Sequence, residues 1–169
     1  LSMPRVDPLW LDAVESDLAA TSIAIMSARI DYLDRLRGSI ARSTSIHFPA
    51  PTFRMAGFMD DIIGSVPAVM AEKYYLDRLR ETRARDASAE ATTMGPHRVD
   101  IHVEYAAKNM PAHACSTGEQ KALLFSLFLA HTRLIRDECG EAPLILLDEI
   151  TAHLDPARRA ALFDTLLDL

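Results

Sequence analysis

Two adjacent carboxylates, Asp148 and Glu149, directly follow the apolar run Leu144–Leu147. Such a run predicts a buried strand whose end delivers both acid groups to one site. An aspartate there can hold Mg²⁺, usually through water, because Mg²⁺ keeps several waters and takes one or two carboxylates together with phosphate oxygens. Side chains alternate along a strand, so the neighbouring glutamate can instead polarise an attacking water. The pair predicts the hydrolytic centre of a nucleotide-hydrolysing protein.

Upstream of these carboxylates, Ser116, Thr117 and Gly118 form a turn that opens a long apolar helix pattern. Free backbone amides and the helix dipole at a helix start favour an anion by roughly 0.3–1 kcal/mol. Gly118 allows the backbone to approach a phosphate closely, and the Ser116 hydroxyl adds a donor. An ordinary helix cap is the alternative interpretation, since Ser116 and Glu119 have capping-box spacing. We call these four residues the 116–119 turn.

A phosphate-binding loop of the form GxxxxGK[ST] is missing from the sequence. None of the three lysines (Lys73, Lys108 and Lys121) follows a glycine. We therefore expect that this chain alone neither binds ATP tightly nor hydrolyses it. It is expected to be the C-terminal part of a larger ATPase.

Two long helices are predicted in residues 7–92. The first starts at Asp7 and Pro8 and runs to about Arg37, where Gly38 is a plausible terminator. Its apolar residues recur at threes, fours and sevens and predict one stripe: Leu11, Val14, Leu18, Ile25, Tyr32 and Leu36. The second helix begins after Pro67 and is predicted to place Val69, Met70, Lys73, Leu76 and Leu79 on one face. We expect the two to pack antiparallel as a helical arm.

Residues 93–169 alternate between strand and helix patterns. Residues 99–105 alternate apolar and polar side chains, which predicts a half-buried strand, and Lys108–Pro111 reads as a turn. A helix to about Glu138 is apolar almost all round, which predicts burial. After the strand at 144–147, Asp155 and Pro156 repeat the helix-start device of Asp7 and Pro8. The alternation predicts an α/β fold with a parallel sheet.

The composition of the chain limits the classes of protein to which it can belong. With 169 residues, 49% of them hydrophobic, the chain can bury one good core or two small ones. The longest apolar run is too short to cross a membrane, so we expect a soluble, cytoplasmic protein with no membrane partner. A net charge of −6 argues against a uniformly basic nucleic-acid coat. A local basic surface is predicted at Arg78, Arg80, Arg83 and Arg85, and a solvated helix face with interleaved acids is the alternative interpretation.

Three pieces follow one another in the chain: the 116–119 turn, the strand ending in Asp-Glu, and the Leu-Asp pair at 154–155. Their order resembles the second half of an ABC-type ATPase. Within that group the chain resembles the RecF family of bacterial repair ATPases. Residues 93–100 resemble its Gly-Pro-His-Arg block, 115–121 its signature, and 146–149 with 154–155 its Walker B strand and D-loop. Thr117 stands at the first signature glycine, and Glu119 stands where glutamine is commoner.

The resemblance implies that the chain is part of an ABC-type P-loop ATPase head, with the arm at 7–92 and an ATPase lobe segment at 93–169. Two heads would close head to tail over two ATP molecules. The 116–119 turn would then contact the partner's nucleotide, while Asp148 and Glu149 serve their own. His153, Leu154 and Asp155 would form the D-loop, which communicates between subunits. The family binds DNA at single-strand gaps or junctions and helps to load recombinase, with RecR and RecO as partners.

Two other interpretations stay open from the sequence. The chain could belong to another ABC-type head, of an SMC-like protein or a transporter. A transporter head has no use for a thirty-residue arm before the signature, and SMC-like proteins carry far longer coiled coils. Alternatively, it could be a non-catalytic protein-interaction module in which the ATPase motifs are vestigial.

Overall fold

The computed structural model describes residues 7–43, 47–57, 62–148 and 154–169. Its helices and strands are α1 (Pro8–Ala41), β1 (Pro51–Ala56), α2 (Ala68–Ala89), β2 (Asp100–Tyr105), β3 (Met110–Pro111), α3 (Thr117–Cys139) and α4 (Pro156–Leu167). The chain divides into two compact units, one formed by the described parts of residues 1–31 and 55–100, and the other by those of 32–54 and 101–169. None of the helices in the described ranges is both long and apolar enough to cross a membrane.

In the first unit, α2 and residues 8–31 of α1 pack around a shared apolar core. The buried side chains of this core are Ala19, Ile23, Met26, Ile63, Ala71, Tyr75, Leu79 and Met94. A charged contact accompanies it, because Arg83 donates to Asp12 and, at 2.5 Å, to Glu15. Glu15 is only 6% exposed. A buried carboxylate without a cation would be strongly destabilising, so the Arg83 guanidinium makes this burial possible.

The buried faces of α1 and α2 differ from those predicted. On α1, Val14 and Ile25 of the predicted stripe are each 41% exposed, whereas Ile23 and Met26 are buried. On α2, Val69 is exposed in the same way. Helix α1 carries two apolar stripes, and periodicity cannot say which of them meets a neighbour. Gly38 also fails to end α1, because the Arg42 amide still donates to the Gly38 carbonyl at 3.3 Å.

The Gly-Pro-His-Arg segment of the first unit is a tightly held turn. Gly95 has φ +149° and ψ −178°, a region that is essentially restricted to glycine. The buried Tyr75 hydroxyl donates to the Met94 carbonyl at 2.8 Å, and Arg29 donates to the Pro96 carbonyl at 2.6 Å. His97 bonds the Thr92 carbonyl at 2.9 Å. The segment therefore ties the end of the α2 loop back to both helices.

In the second unit, α3 packs against the end of α1 and against α4. An apolar cluster joins Phe48, Phe125, Leu129, Leu154 and Leu162. Buried hydroxyls add tethers between segments: Ser39 donates to the Ala130 carbonyl at 2.8 Å, and Ser126 to the Pro49 carbonyl at 2.6 Å. The predicted burial of α3 on nearly all sides is wrong at Leu124, which is 64% exposed. The apolar surface of α3 is therefore larger than the area that the other described residues bury.

The sheet has three strands in the order β1-β2-β3. Strands β2 and β3 pair antiparallel, with Glu104 opposite Pro111 and Tyr105 opposite Met110. The parallel pairing expected from the alternation of strands and helices is therefore wrong for this pair. A connection of four residues can join only antiparallel neighbours, and Asn109 makes it possible by adopting φ +47°. The predicted half-burial of β2 is wrong at Ile101, which is 47% exposed, whereas Val103 and Tyr105 are partly buried.

Residues 144–147, predicted as a buried strand, have no strand structure here. Leu144 is 88% exposed and Leu146 is 85% exposed, so the predicted burial is wrong for both. A strand needs a hydrogen-bonded neighbour, and no strand within the described residues pairs with this segment. Asp148, at the end of the segment, lies in an exposed bend.

Candidate functional site

The 116–119 turn is a complete capping box at the start of α3. Ser116 is the N-cap, and its hydroxyl oxygen accepts from the Glu119 amide at 3.4 Å. The Glu119 carboxylate in turn accepts from the Ser116 amide at 3.0 Å and from the Ser116 hydroxyl at 2.9 Å. The predicted capping interpretation is therefore confirmed. It accounts for Ser116 and Glu119, and it leaves Thr117 and Gly118 to be explained.

Gly118 is not required by the packing of the described residues. A methyl group on its Cα would meet only the Arg158 Nη1 atom, at 4.0 Å, which is ordinary van der Waals contact. Glycine inside a helix costs about 0.5–1 kcal/mol relative to alanine. Ser116 and Thr117, which precede it, are exposed. The first turn of α3 therefore has an exposed backbone at Gly118. The glycine lowers the stability of the helix, and no described packing contact requires it.

Lys108 is a residue of this site that sequence analysis missed as a functional group. It closes the turn between β2 and β3, and its ammonium pairs with the free oxygen of the Glu119 carboxylate. The Tyr105 ring lies below it, with its centroid 5.6 Å from Nζ. The hydrogen bond from Lys108, followed by those from Ser116, lowers the pKa of Glu119 to about 2. The same bond raises the pKa of Lys108.

The start of α4 lies beside the start of α3. Asp155 is the N-cap of α4 and accepts from the Arg158 amide at 2.9 Å, and this bond lowers the pKa of Asp155. The Arg158 guanidinium donates to the His47 carbonyl at 3.3 Å and lies 3.6 Å from the Asp155 carboxylate. Leu154 is buried, which anchors the segment. Arg158 also lies next to Gly118, so the start of α4 is adjacent to the start of α3.

The other predicted site residues are not assembled with this turn by any described contact. Glu149 and His153 lie outside the described residues. Asp148 is exposed, and the described part of the chain contains no group of three His, Cys, Asp or Glu residues that could hold a metal. A single exposed carboxylate suits Mg²⁺ only where phosphate oxygens and water complete the ligand set.

The four candidate DNA-contacting arginines have partners within the first unit. Arg78 pairs with Glu81 at 2.6 Å, and Arg80 lies 3.8 Å from both Asp12 and Asp77. Arg83 is hydrogen-bonded to the two α1 carboxylates described above. Arg85 donates to the Thr93 hydroxyl at 2.8 Å rather than to an acid. Arg83 is therefore the least suited of the four to bind phosphate, and Arg85 is the best suited.

The low pKa of Glu119 makes a prediction about pH. A carboxyl group whose folded pKa lies below its unfolded value stabilises the fold above the unfolded value, and the effect is lost as pH falls through the folded value. Glu119→Gln should therefore destabilise the full-length protein more at pH 6 than at pH 2.5, with most of the change between pH about 4.5 and 2. Urea midpoints measure this. Glu141→Gln, at an exposed carboxylate after α3, is the control; equal effects of Glu119→Gln at both pH values would contradict the prediction.

Comparison with known proteins identifies the class of protein to which the chain belongs. Residues 9–169 match the family described as "AAA domain, putative AbiEii toxin, Type IV TA system". The chain belongs to this AAA-domain family, and its fold is that of part of an ABC-type P-loop ATPase.

The predicted resemblance to RecF is confirmed. The chain is 52% identical over 165 residues to the "DNA replication and repair protein RecF" of Agrobacterium fabrum, and 50% identical over 165 residues to that of Rhizobium meliloti. Each alignment covers 97% of this chain and 44% of the relative, so the chain spans less than half the length of these proteins. The solved "recombination mediator protein RecF-ATPrS in RecFOR pathway" shares the fold, with a TM-score of 0.77 at 20% identity over 95% of this chain and 43% of that one.

Proposed function

We propose that the full-length protein containing this chain is a RecF-like DNA replication and repair ATPase. It would act in the cytoplasm, bind DNA at single-strand gaps or junctions, dimerise with ATP and help to load recombinase. The chain would contribute the 116–119 turn to the partner subunit's nucleotide and the 148–149 carboxylates to its own. The unexplained Gly118 at an exposed helix start supports this proposal most directly, because close approach of a phosphate gives that glycine a reason.

In this proposal the site residues have different roles in binding and hydrolysing ATP. Backbone amides of the first turn of α3 bind the γ-phosphate oxygens, with the Ser116 hydroxyl as a further donor. Asp148 holds Mg²⁺, which offsets phosphate charge when bound. Glu149 takes a proton from the attacking water. Asp155 lies 3.6 Å from the Arg158 guanidinium, which also lies next to Gly118, so a change at the dimer interface that moves Asp155 would reach the α4 start and the 116–119 turn together.

DNA and protein partners enter the proposal from the relatives. The curated relatives are named for DNA replication and repair, and the solved structure is described as part of the RecFOR pathway. We infer RecR and RecO as partners of the full-length protein on that basis. Arg85, Arg78 and Arg80 are its candidate phosphate contacts. Charge reversal at Arg85 should reduce the salt dependence of DNA binding if this surface meets the backbone.

Gly118→Ala tests the nucleotide role of the 116–119 turn. In the full-length protein we expect unchanged or slightly raised stability, by about 0.5–1 kcal/mol, because the added methyl fits and glycine is a poor helix former. ATP-dependent dimerisation, followed by light scattering, should instead fall by on the order of tenfold or more, because the methyl occupies the space of the phosphate.

Gly38→Ala is the matched control, since Gly38 is also helical and an added methyl would meet only Arg42 Nη1, at 3.9 Å. It should gain the same stability and leave dimerisation unchanged. Normal ATP-dependent dimerisation of Gly118→Ala would rule out the trans contact. It would leave the non-catalytic interaction module as the better interpretation, and binding of gapped DNA with and without ATP would then decide between them.

A further inference from the structure

The Glu119 carboxylate lies at the helix start that would bind the proposed phosphate. One of its oxygens accepts from the amide and the hydroxyl of Ser116, and that hydroxyl is one of the donors proposed for the phosphate. With a pKa of about 2, the carboxylate is ionised at neutral pH. A negative charge therefore lies within hydrogen-bond distance of the anion site, and like charges this close weaken binding.

Lys108 is the charged group that offsets this repulsion. Its ammonium contacts the second Glu119 oxygen, and among the described residues no other cation is paired with that carboxylate. The turn that carries Lys108 is fixed by the β2–β3 pairing and by Asn109 in the left-handed region. The Tyr105 ring supports the ammonium from one side. The lysine side chain remains half exposed.

We propose that Lys108 is a positioning residue for nucleotide binding at the 116–119 turn. Its ammonium neutralises Glu119, so that one helix start can keep a capping glutamate and still accept a phosphate anion. Lys108 and Glu119 thus act as one neutral unit. This inference rests on the proposed function and adds to it a residue from outside the turn.

The first experiment is Lys108→Met in the full-length protein, with ATP as the ligand. The KM for ATP should rise by on the order of tenfold, because an uncompensated carboxylate then faces the phosphates, while kcat changes little. The increase should shrink at high salt, since an exposed charge is screened. Lys73→Met, which removes an exposed lysine from α2 in the first unit, is the matched control and should leave KM unchanged. Lys108→Arg keeps the charge and should raise KM less than Lys108→Met.

The decisive variant adds Glu119→Gln to Lys108→Met. A glutamine oxygen can still accept from the Ser116 amide, but it carries no charge that needs compensation. The KM should therefore return most of the way to the wild-type value, whereas a purely structural Lys108 would give additive defects. Thermal unfolding of each variant shows whether it is folded.

The possible failures are distinguishable. A wild-type KM for Lys108→Met, or no rescue by Glu119→Gln, in a protein that hydrolyses ATP would overturn the role of Lys108 alone. A folded full-length wild-type protein that neither hydrolyses ATP nor dimerises with it would overturn the proposed function, and the role of Lys108 with it.

Discussion

Glu149→Gln is expected to lower ATP hydrolysis by the full-length protein by on the order of 10²–10⁴-fold, the usual contribution of a general base. The amide has the same shape as the carboxylate but cannot accept the proton of the attacking water. ATP binding does not use that proton, so the variant should still bind ATP. An ATP-bound dimer should then accumulate, because hydrolysis no longer leads to its dissociation. Single-turnover hydrolysis and light scattering measure the two effects.

Glu141→Gln is the control for this substitution. It makes the same chemical change at an exposed carboxylate in the loop after α3, seven residues before Asp148. Its turnover should match the wild-type value. Near-normal turnover of Glu149→Gln would remove Glu149 from the catalytic role and leave Asp148 as the remaining acidic candidate in this segment.

Gly95→Ala is expected to destabilise the protein by about 2–4 kcal/mol, the largest effect on stability that we predict. The backbone of Gly95, at φ +149°, is strained for any residue with a side chain, which costs about 1–3 kcal/mol. The added methyl would also lie 2.7 Å from the Tyr75 hydroxyl oxygen. Tyr75 is fully buried and cannot move aside without losing its bond to Met94, so overpacking adds to the strain. Urea unfolding measures the sum.

Two variants separate the causes. Gly140→Ala, at φ +79° with nothing within 4 Å of the added methyl, has the backbone strain alone and should cost only about 1–2 kcal/mol. In a Tyr75→Phe background the clashing hydroxyl is gone, so Gly95→Ala should cost less there than in the wild type. An effect of Gly95→Ala no larger than that of Gly140→Ala would show that Tyr75 yields and that the segment is not rigid.

The helix starts were predictable because their causes are local. Asp7 caps α1 by accepting from the Leu9 amide at 2.9 Å, and Asp155 caps α4 in the same way. The capping box at Ser116 and Glu119 also formed as its spacing indicated. Each of these signals needs only residues within one turn, so no distant neighbour can change it.

Apart from Gly38, which does not end α1, the predictions that failed concerned contacts between different segments of the chain. Two apolar stripes compete on α1, and contact with Tyr75 and Leu79 of α2 selects the one that contains Ile23. The segment at 144–147 has the composition of a buried strand, but among the described residues no neighbouring strand completes it. The position of Lys108 beside Glu119 depends on the β2–β3 pairing, which its neighbours in sequence do not reveal.

By itself the sequence determined which residue types are available, where the helices begin, and the order of motifs by which the RecF family was recognised. Those properties follow from short-range capping and from residue identity. The tertiary structure alone decided which helix faces are buried, that Glu119 is held by Lys108, and that the starts of α3 and α4 meet at Gly118 and Arg158. Such contacts arise only after distant segments pack together, and so no local pattern encodes them.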